Sequence, residues 1–166
     1  EEKQFEHAIN VIANLRNIGR DSTLIIKGGC DKGYFRFLSN LVINKKLEDL
    51  VTLVYDEVPY DMAYDFFDNF NCFLITSKYE GGPNVGLEIM AYGLPILSYD
   101  VGAMTDRLLN FREFIATDEN DLTKKATDIL NYNDDEFVEI CIKVKKEYIN
   151  KFSNNLKISF LRDFLN

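Results

Sequence analysis

The sequence predicts an α/β fold: a parallel sheet with helices on both faces. Three observations carry that expectation. Short apolar, β-branched runs recur along the chain, as strands covered on both faces do. Between them, apolar residues return at helical spacing. Strands that alternate with helices in this order build a parallel sheet rather than hairpins.

The first helix is read from Phe5, Ala8, Ile9, Ile12 and Leu15, with Gly19 as its stop. TLIIKGG follows as a buried strand closed by a glycine pair, and Asp31 to Lys46 returns to helical spacing through Phe35, Leu38, Leu41 and Val42. DLVTLVY is the next strand. Pro59 opens a helix, where proline suits the first position, with Tyr60, Ala63, Tyr64, Phe67 and Phe70 on one side and Asp61, Asp65 and Asp68 on the other. CFLITS is an apolar strand, Asn84 to Tyr92 a helix, and ILSY a further strand after Gly93 and Pro95. A short helix is expected within Val101 to Leu109, a last strand at EFIA, and a helix over Asp121 to Leu130. Phe137, Cys141, Val144, Tyr148 and Phe152 mark a long helix capped by Asn133 or Asp134. Ser153 or Asn154 is expected to cap a final helix ending in Phe160, Leu161 and Phe164. No repeat, linker or low-complexity stretch interrupts residues 1–166, so one domain is expected.

Composition narrows the function. With 46% hydrophobic and 28% charged residues the 166-residue chain can fill a core and is not disordered in type. The net charge of −8 without a Lys/Arg cluster argues against a nucleic-acid partner. No apolar run reaches the roughly 18–20 residues of a membrane span. Cys30, Cys72 and Cys141 are odd in number and far apart, which suggests a reducing, cytoplasmic setting and neither a disulfide framework nor a zinc site. The one histidine, His7, beside an apolar stripe, reads as structural. The three aspartates of the Pro59 helix read as a solvated face, not a metal site, since no coordinating histidine or glycine loop accompanies them.

Ligands of open α/β sheets bind outside the carboxyl ends of the strands. Two glycine loops follow strands here, KGGCDKG and EGGPN. The first is no P-loop, because Tyr34 and Phe35 follow Gly33, and no dinucleotide fingerprint, because Cys30 takes the second glycine position. In the second, Glu80 stands at a strand end, Gly81 and Gly82 let a ligand near the backbone, and Pro83 leads into a helix. The start of that helix offers free N–H groups to a phosphate. Glu88 projects about one turn further on. Two carboxylates beside a phosphate site suit a ligand with both sugar hydroxyls and phosphates, such as a nucleotide sugar. The plain alternative is two surface acids, Glu80 favourably near a helix start.

SKYEGGPNVGLEIMAYGLPILSYDVGAMTD closely resembles the signature of the group 1 family of retaining GT-B glycosyltransferases. The shared pattern is S-x-x-E-G, seven residues between two glutamates, E-x-M-A-x-G-x-P, a strand, then D-V-G. Ser77, Glu80, Gly81, Pro83, Glu88, Met90, Ala91, Gly93, Pro95, Asp100, Val101 and Gly102 carry it. Weaker likeness extends to Glu2-Lys3, to Gly28-Gly29 and to VPYDMAYDFF.

The resemblance implies two Rossmann-like domains with the active site between them, of which this chain is the C-terminal, donor-binding one. It implies that Glu80 contacts hydroxyls of the transferred sugar and Glu88 the ribose. Backbone N–H groups of Gly81 and Gly82 would meet the sugar, and those of Asn84 and Val85 the distal phosphate. Lys3, otherwise a solvated helix-start residue, would neutralise the leaving diphosphate. Gly28, Gly29 and Val58 would lie near the base. Implied too are a nucleoside diphosphate sugar as donor (UDP-sugar favoured, then GDP- or ADP-sugar), no metal and no cofactor. The acceptor would be a glycan, lipid or protein, chosen by an N-terminal domain to which the 152–166 helix would cross. That domain would be the route to any peripheral contact with a membrane. The family also carries a strand and an arginine just before the lysine; neither stands in this sequence, so a Rossmann-like sheet lacking its central first strand is expected. LLNFREFIA replaces the family's glycine turn. A rival reading is a catalytically silent binding or partner subunit on the same fold.

Overall fold

The computed structural model describes residues 2–55, 67 and 69–153. The Pro59 helix, apart from Phe67 and Phe70, and the final helix beyond residue 153 lie outside the described residues, as does Val58. Among those described, the order is α1 (Phe5–Asn17), β1 (Leu24–Lys27), α2 (Lys32–Asn44), β2 (Val51–Val54), β3 (Phe73–Ile75), α3 (Asn84–Tyr92), β4 (Ile96–Tyr99), α4 (Met104–Arg107), β5 (Ile115–Ala116), α5 (Glu119–Leu130) and α6 (Asp134–Lys151).

Local chemistry sets the ends of these elements. Asp31 caps α2 by accepting from the N–H groups of Gly33 and Tyr34. Asn133 and Glu136 form a reciprocal capping box at α6, which settles the choice between Asn133 and Asp134. α5 starts two residues earlier than expected, because Asp118 accepts from Asp121 N–H and begins the helix at Glu119. Gly93 ends α3 at φ +105°, a left-handed conformation that favours glycine.

Every described strand pairing is parallel, as expected. The single sheet is instead two ladders. β1 pairs with β2 from Leu24–Val51 to Lys27–Val54. β4 lies between β3 and β5, with Phe73 opposite Ile96 and Tyr99 opposite Ala116. β1 and β3 flank a cavity of about 760 Å³, roofed by apolar residues of α1, and no described strand bridges them. The slot lies between the two ladders, where the family resemblance leads one to expect a central strand.

The core sits on both faces of β4, where Ile96, Leu97 and Ser98 are wholly buried. α5 packs on β4 and β5 and against α1, while α3 packs on β4 and against α6. Phe67 is buried and meets Phe73 and Tyr92 edge-on. The expected EFIA strand shortens to Ile115–Ala116 behind a 3₁₀ turn over Arg112–Phe114. That turn brings residues three apart onto one side, and the rings of Phe111 and Phe114 stack there, buried, 5.8 Å apart.

His7, read as a structural or surface residue, is half-buried and packs edge-on against Tyr99. Its Nδ1 lies 2.8 Å from the Tyr99 hydroxyl, which burial and then the Glu119 and Asp118 carboxylates push up to about 12.

Candidate functional site

The site is assembled at the carboxyl end of β3. The Thr76 hydroxyl donates to the Lys3 carbonyl at 2.8 Å, and Lys78 N–H donates to the Glu2 carbonyl at 2.7 Å. These bonds lay Glu2 and Lys3 beside the end of the strand. The Lys3 ammonium is thereby brought onto the Glu80 carboxylate, 77 positions away, and forms an ion pair with it. Ser77 Oγ donates to the same carboxylate oxygen at 3.0 Å. The Lys3 hydrogen bond, opposed by burial and helped by Ser77, holds the Glu80 carboxyl below its ordinary range. Glu80 is 17% exposed and Lys3 55% exposed, so the carboxylate is the enclosed partner and the ammonium the one free to move.

Lys3, Glu80, Pro83, Val85 and Glu88 all face the β1–β3 cavity. Glu80 also borders a second, polar cavity of about 600 Å³ with Glu2, Lys78, Tyr79, Gly81 and Asp100. One carboxylate therefore stands between two concavities. The sequence reading joined Lys3, Glu80 and Glu88, and the structure brings them together.

α3 begins beside them. Its N-cap is Pro83, with no side-chain cap. Asn84 and Val85, the first two helical residues, have no intrahelical acceptor for their N–H groups, so these donors and the positive end of the helix dipole are open to an anion.

The two glycines of the loop differ. A Cβ on Gly81 would meet nothing within 4 Å, which leaves its backbone approachable. A Cβ on Gly82 would stand 3.1 Å from Arg107 Nη2 and 3.4 Å from the Ala103 Cβ, so the room that Gly82 leaves is taken by protein. Gly102 packs tighter still: at φ +52°, its Cβ would stand 2.4 Å from the Glu80 carbonyl oxygen. Gly28 and Gly29 lie on the loop after β1 and do not line the cavity that gathers Lys3 and the two glutamates. Arg107 went unread in the sequence; its only signal there was the short helix that places it one turn past Gly102.

Among the described residues no group of three or more His, Cys, Asp or Glu side chains gathers as metal ligands do. No helix among them is long and apolar enough to cross a membrane.

Parallel strands, helices on both faces of β4 and a polar site at a strand's carboxyl end define a Rossmann-like α/β domain of GT-B type. The chain belongs to the glycosyl transferases group 1 family, whose model matches residues 1–148. Solved structures share the fold at low identity. Sucrose-phosphate synthase from Thermosynechococcus elongatus aligns at 21% identity and TM-score 0.81, over 99% of this chain and 42% of its own. A glycosyltransferase from Rickettsia africae aligns at 18% and 0.77, over 99% and 44%. A variant of TarM from S. aureus, in complex with fondaparinux, alpha-GlcNAc-glycerol and UDP, aligns at 21% and 0.76, over 100% and 33%. The chain thus spans less than half the length of these structures. No curated protein matches the sequence.

Proposed function

We propose that this chain is the donor-binding half of a retaining glycosyltransferase that moves a hexose from a nucleoside diphosphate sugar to an acceptor, without a metal. The observation that carries this reading is that Lys3, paired with Glu80, and Glu88 line one cavity together with Pro83 and Val85 of the uncapped start of α3. Family membership narrows that convergence to glycosyl transfer. As the bond from the sugar's anomeric carbon to the diphosphate breaks, negative charge grows on the phosphate oxygens. The Lys3 ammonium and the Asn84 and Val85 N–H groups answer that charge from fixed positions, where such donors stabilise a transition state most. Glu80 accepts from hydroxyls of the transferred sugar, with the Gly81 and Gly82 backbone beside it, and Glu88 accepts from the ribose. The acceptor oxygen attacks from the face the diphosphate leaves. The Gly28–Gly29 turn and Val58 would border the base.

UDP is the favoured nucleotide, supported by the UDP in the complexes of the TarM variant and of the pneumococcal O-GlcNAc transferase GtfA. The acceptor, a glycan, lipid or protein, is set by an N-terminal domain, in a cytoplasmic protein that touches a membrane only peripherally. The 152–166 helix would reach that domain, and this chain alone is inactive. Calorimetric titration of the full-length protein with UDP, GDP and ADP tests the reading. One of the three is expected to bind; no binding by any would favour a silent subunit on the same fold.

A further inference from the structure

We propose that Arg107 is a positioning residue for the phosphate end of this site: it holds the Pro83 carbonyl and so aims the Asn84 N–H at the ligand. The inference rests on the donor reading above and extends it to a residue outside the motif.

Three contacts tie the segment Gly102–Arg107 to the loop Glu80–Pro83. Arg107 Nη1 donates to the Pro83 carbonyl at 2.6 Å, and Ala103 N–H donates to the Gly81 carbonyl at 3.1 Å. Gly102 presses on the carbonyls of Glu80 and Gly81, where no side chain would fit. The guanidinium also lies against Gly82, filling the space its missing Cβ leaves. The carbonyls of this loop are therefore gripped from the α4 side.

A trans peptide unit is planar, and its C=O and the following N–H point in opposite directions. The Pro83 carbonyl accepts from Gly86 N–H of its own helix at 2.9 Å as well as from Arg107, so the guanidinium reinforces a direction that turns the Asn84 N–H away from α4. Fixing the Gly81 carbonyl on Ala103 does the same for the Gly82 N–H. These are donors the reaction needs, and hydrogen bonds to backbone on the far side of each plane set their direction. Arginine suits the task because its flat, forked head can pack on Gly82 while donating to Pro83, which a lysine ammonium cannot do equally.

Its charge adds to this. Among the described residues, no carboxylate forms an ion pair with Arg107. Burial draws its guanidinium below the ordinary value, so the cost of partly dehydrating it is not returned by a protein anion. The positive charge remains beneath the loop, available to a diphosphate at its surface.

The test uses the full-length protein and titrates UDP, GDP and ADP into wild type, Arg107→Met and Arg107→Lys, with Tm measured beside each. Met keeps the stem and removes the donor and charge; Lys keeps the charge alone. Expected are at least a tenfold weaker Kd in Arg107→Met, partial recovery in Arg107→Lys, and a fall in kcat as well as a rise in donor KM. A Kd equal to wild type in both variants, whatever their Tm, overturns the inference and leaves the donor reading standing. Wild-type protein that binds none of the three overturns the donor reading and this inference with it. Should Arg107→Met fail to fold, Arg107→Lys decides by the same Kd comparison.

Discussion

The chain carries two glycine pairs, each after a parallel strand and each leading to a helix, and the helix starts behind them differ; β1, expected to be buried, is half-exposed. The loop at Gly28–Gly29 leads to α2, whose first N–H groups are taken by Asp31. The loop at Gly81–Gly82 leads to α3, whose start has Pro83 and no side-chain cap. The first loop is held at Gly28 by one bond, its N–H donating to the Val54 carbonyl at 3.1 Å, while the second is gripped at Glu80, Gly81 and Pro83 by Gly102, Ala103 and Arg107. A helix start satisfied by its own chain offers no place to a phosphate, which leaves the first loop only its proposed position beside the base. One held rigidly around open donors is built to receive something. Glycine content does not separate the two; the disposition of the neighbouring N–H groups does.

The sharpest way to break this contrast is at the carboxylates. Glu80→Ala and Glu88→Ala should each lower turnover of the full-length enzyme at least tenfold, or about 1.4 kcal/mol of barrier, read from kcat in a transfer assay. Wild-type rates in both would sink the assignment of the second loop. Next, Pro83→Asp gives α3 the cap that α2 has. A carboxylate at this helix start competes with phosphate, and nucleoside diphosphate affinity should drop about tenfold by calorimetry; an unchanged Kd would mean the open donors are not used.

Smaller effects sharpen the first loop. Asp31→Ala should cost about 1 kcal/mol of stability in urea unfolding and leave ligand affinity alone. Gly28→Ala, at φ +144° with open space around it, should cost about 1 kcal/mol through backbone strain. Nucleotide affinity unchanged in Gly28→Ala would remove the first loop from its proposed place beside the base. The smallest effect is that of pH. The folded Glu80 carboxyl is lowered, so its stabilising contribution is fully present above the ordinary carboxylate value of about 4.3. It is lost as pH falls through the lowered one. Because Lys3 is more than half exposed, screening keeps the contribution below about 1 kcal/mol. Acid unfolding of Glu80→Gln should differ from wild type only in that low window.

Much of this was legible beforehand because the signals were local. All five expected runs became strands, the last shortened to two residues, and Asn84 to Tyr92 became α3 with the expected bounds. Lys3, Glu80 and Glu88 were readable only through the family pattern. Their spacing does not show that Glu2 and Lys3 lie along the end of β3, since those contacts join residues more than 70 positions apart. Gly82 was read as room for a ligand, and the structure puts Arg107 in that room. Arg107 was illegible for a physical reason: its role lies in where one guanidinium packs against a distant backbone, which no periodicity encodes. The split into two ladders agrees with the missing central strand that the family pattern implied, but β1 and β3 alone do not show it, because each carries strand character whatever stands between them.

The ion pair of Lys3 with Glu80 also bears on how a donor enters. Lys3 and Glu80 are already each other's partner, so on the proposed reading a diphosphate sugar would not simply add attractions. It would exchange them: the exposed ammonium would swing from carboxylate to phosphate, and the carboxylate would turn to sugar hydroxyls. Added salt weakens the old pair along with the new one. Binding should therefore respond to ionic strength more gently than the number of charges at the site suggests.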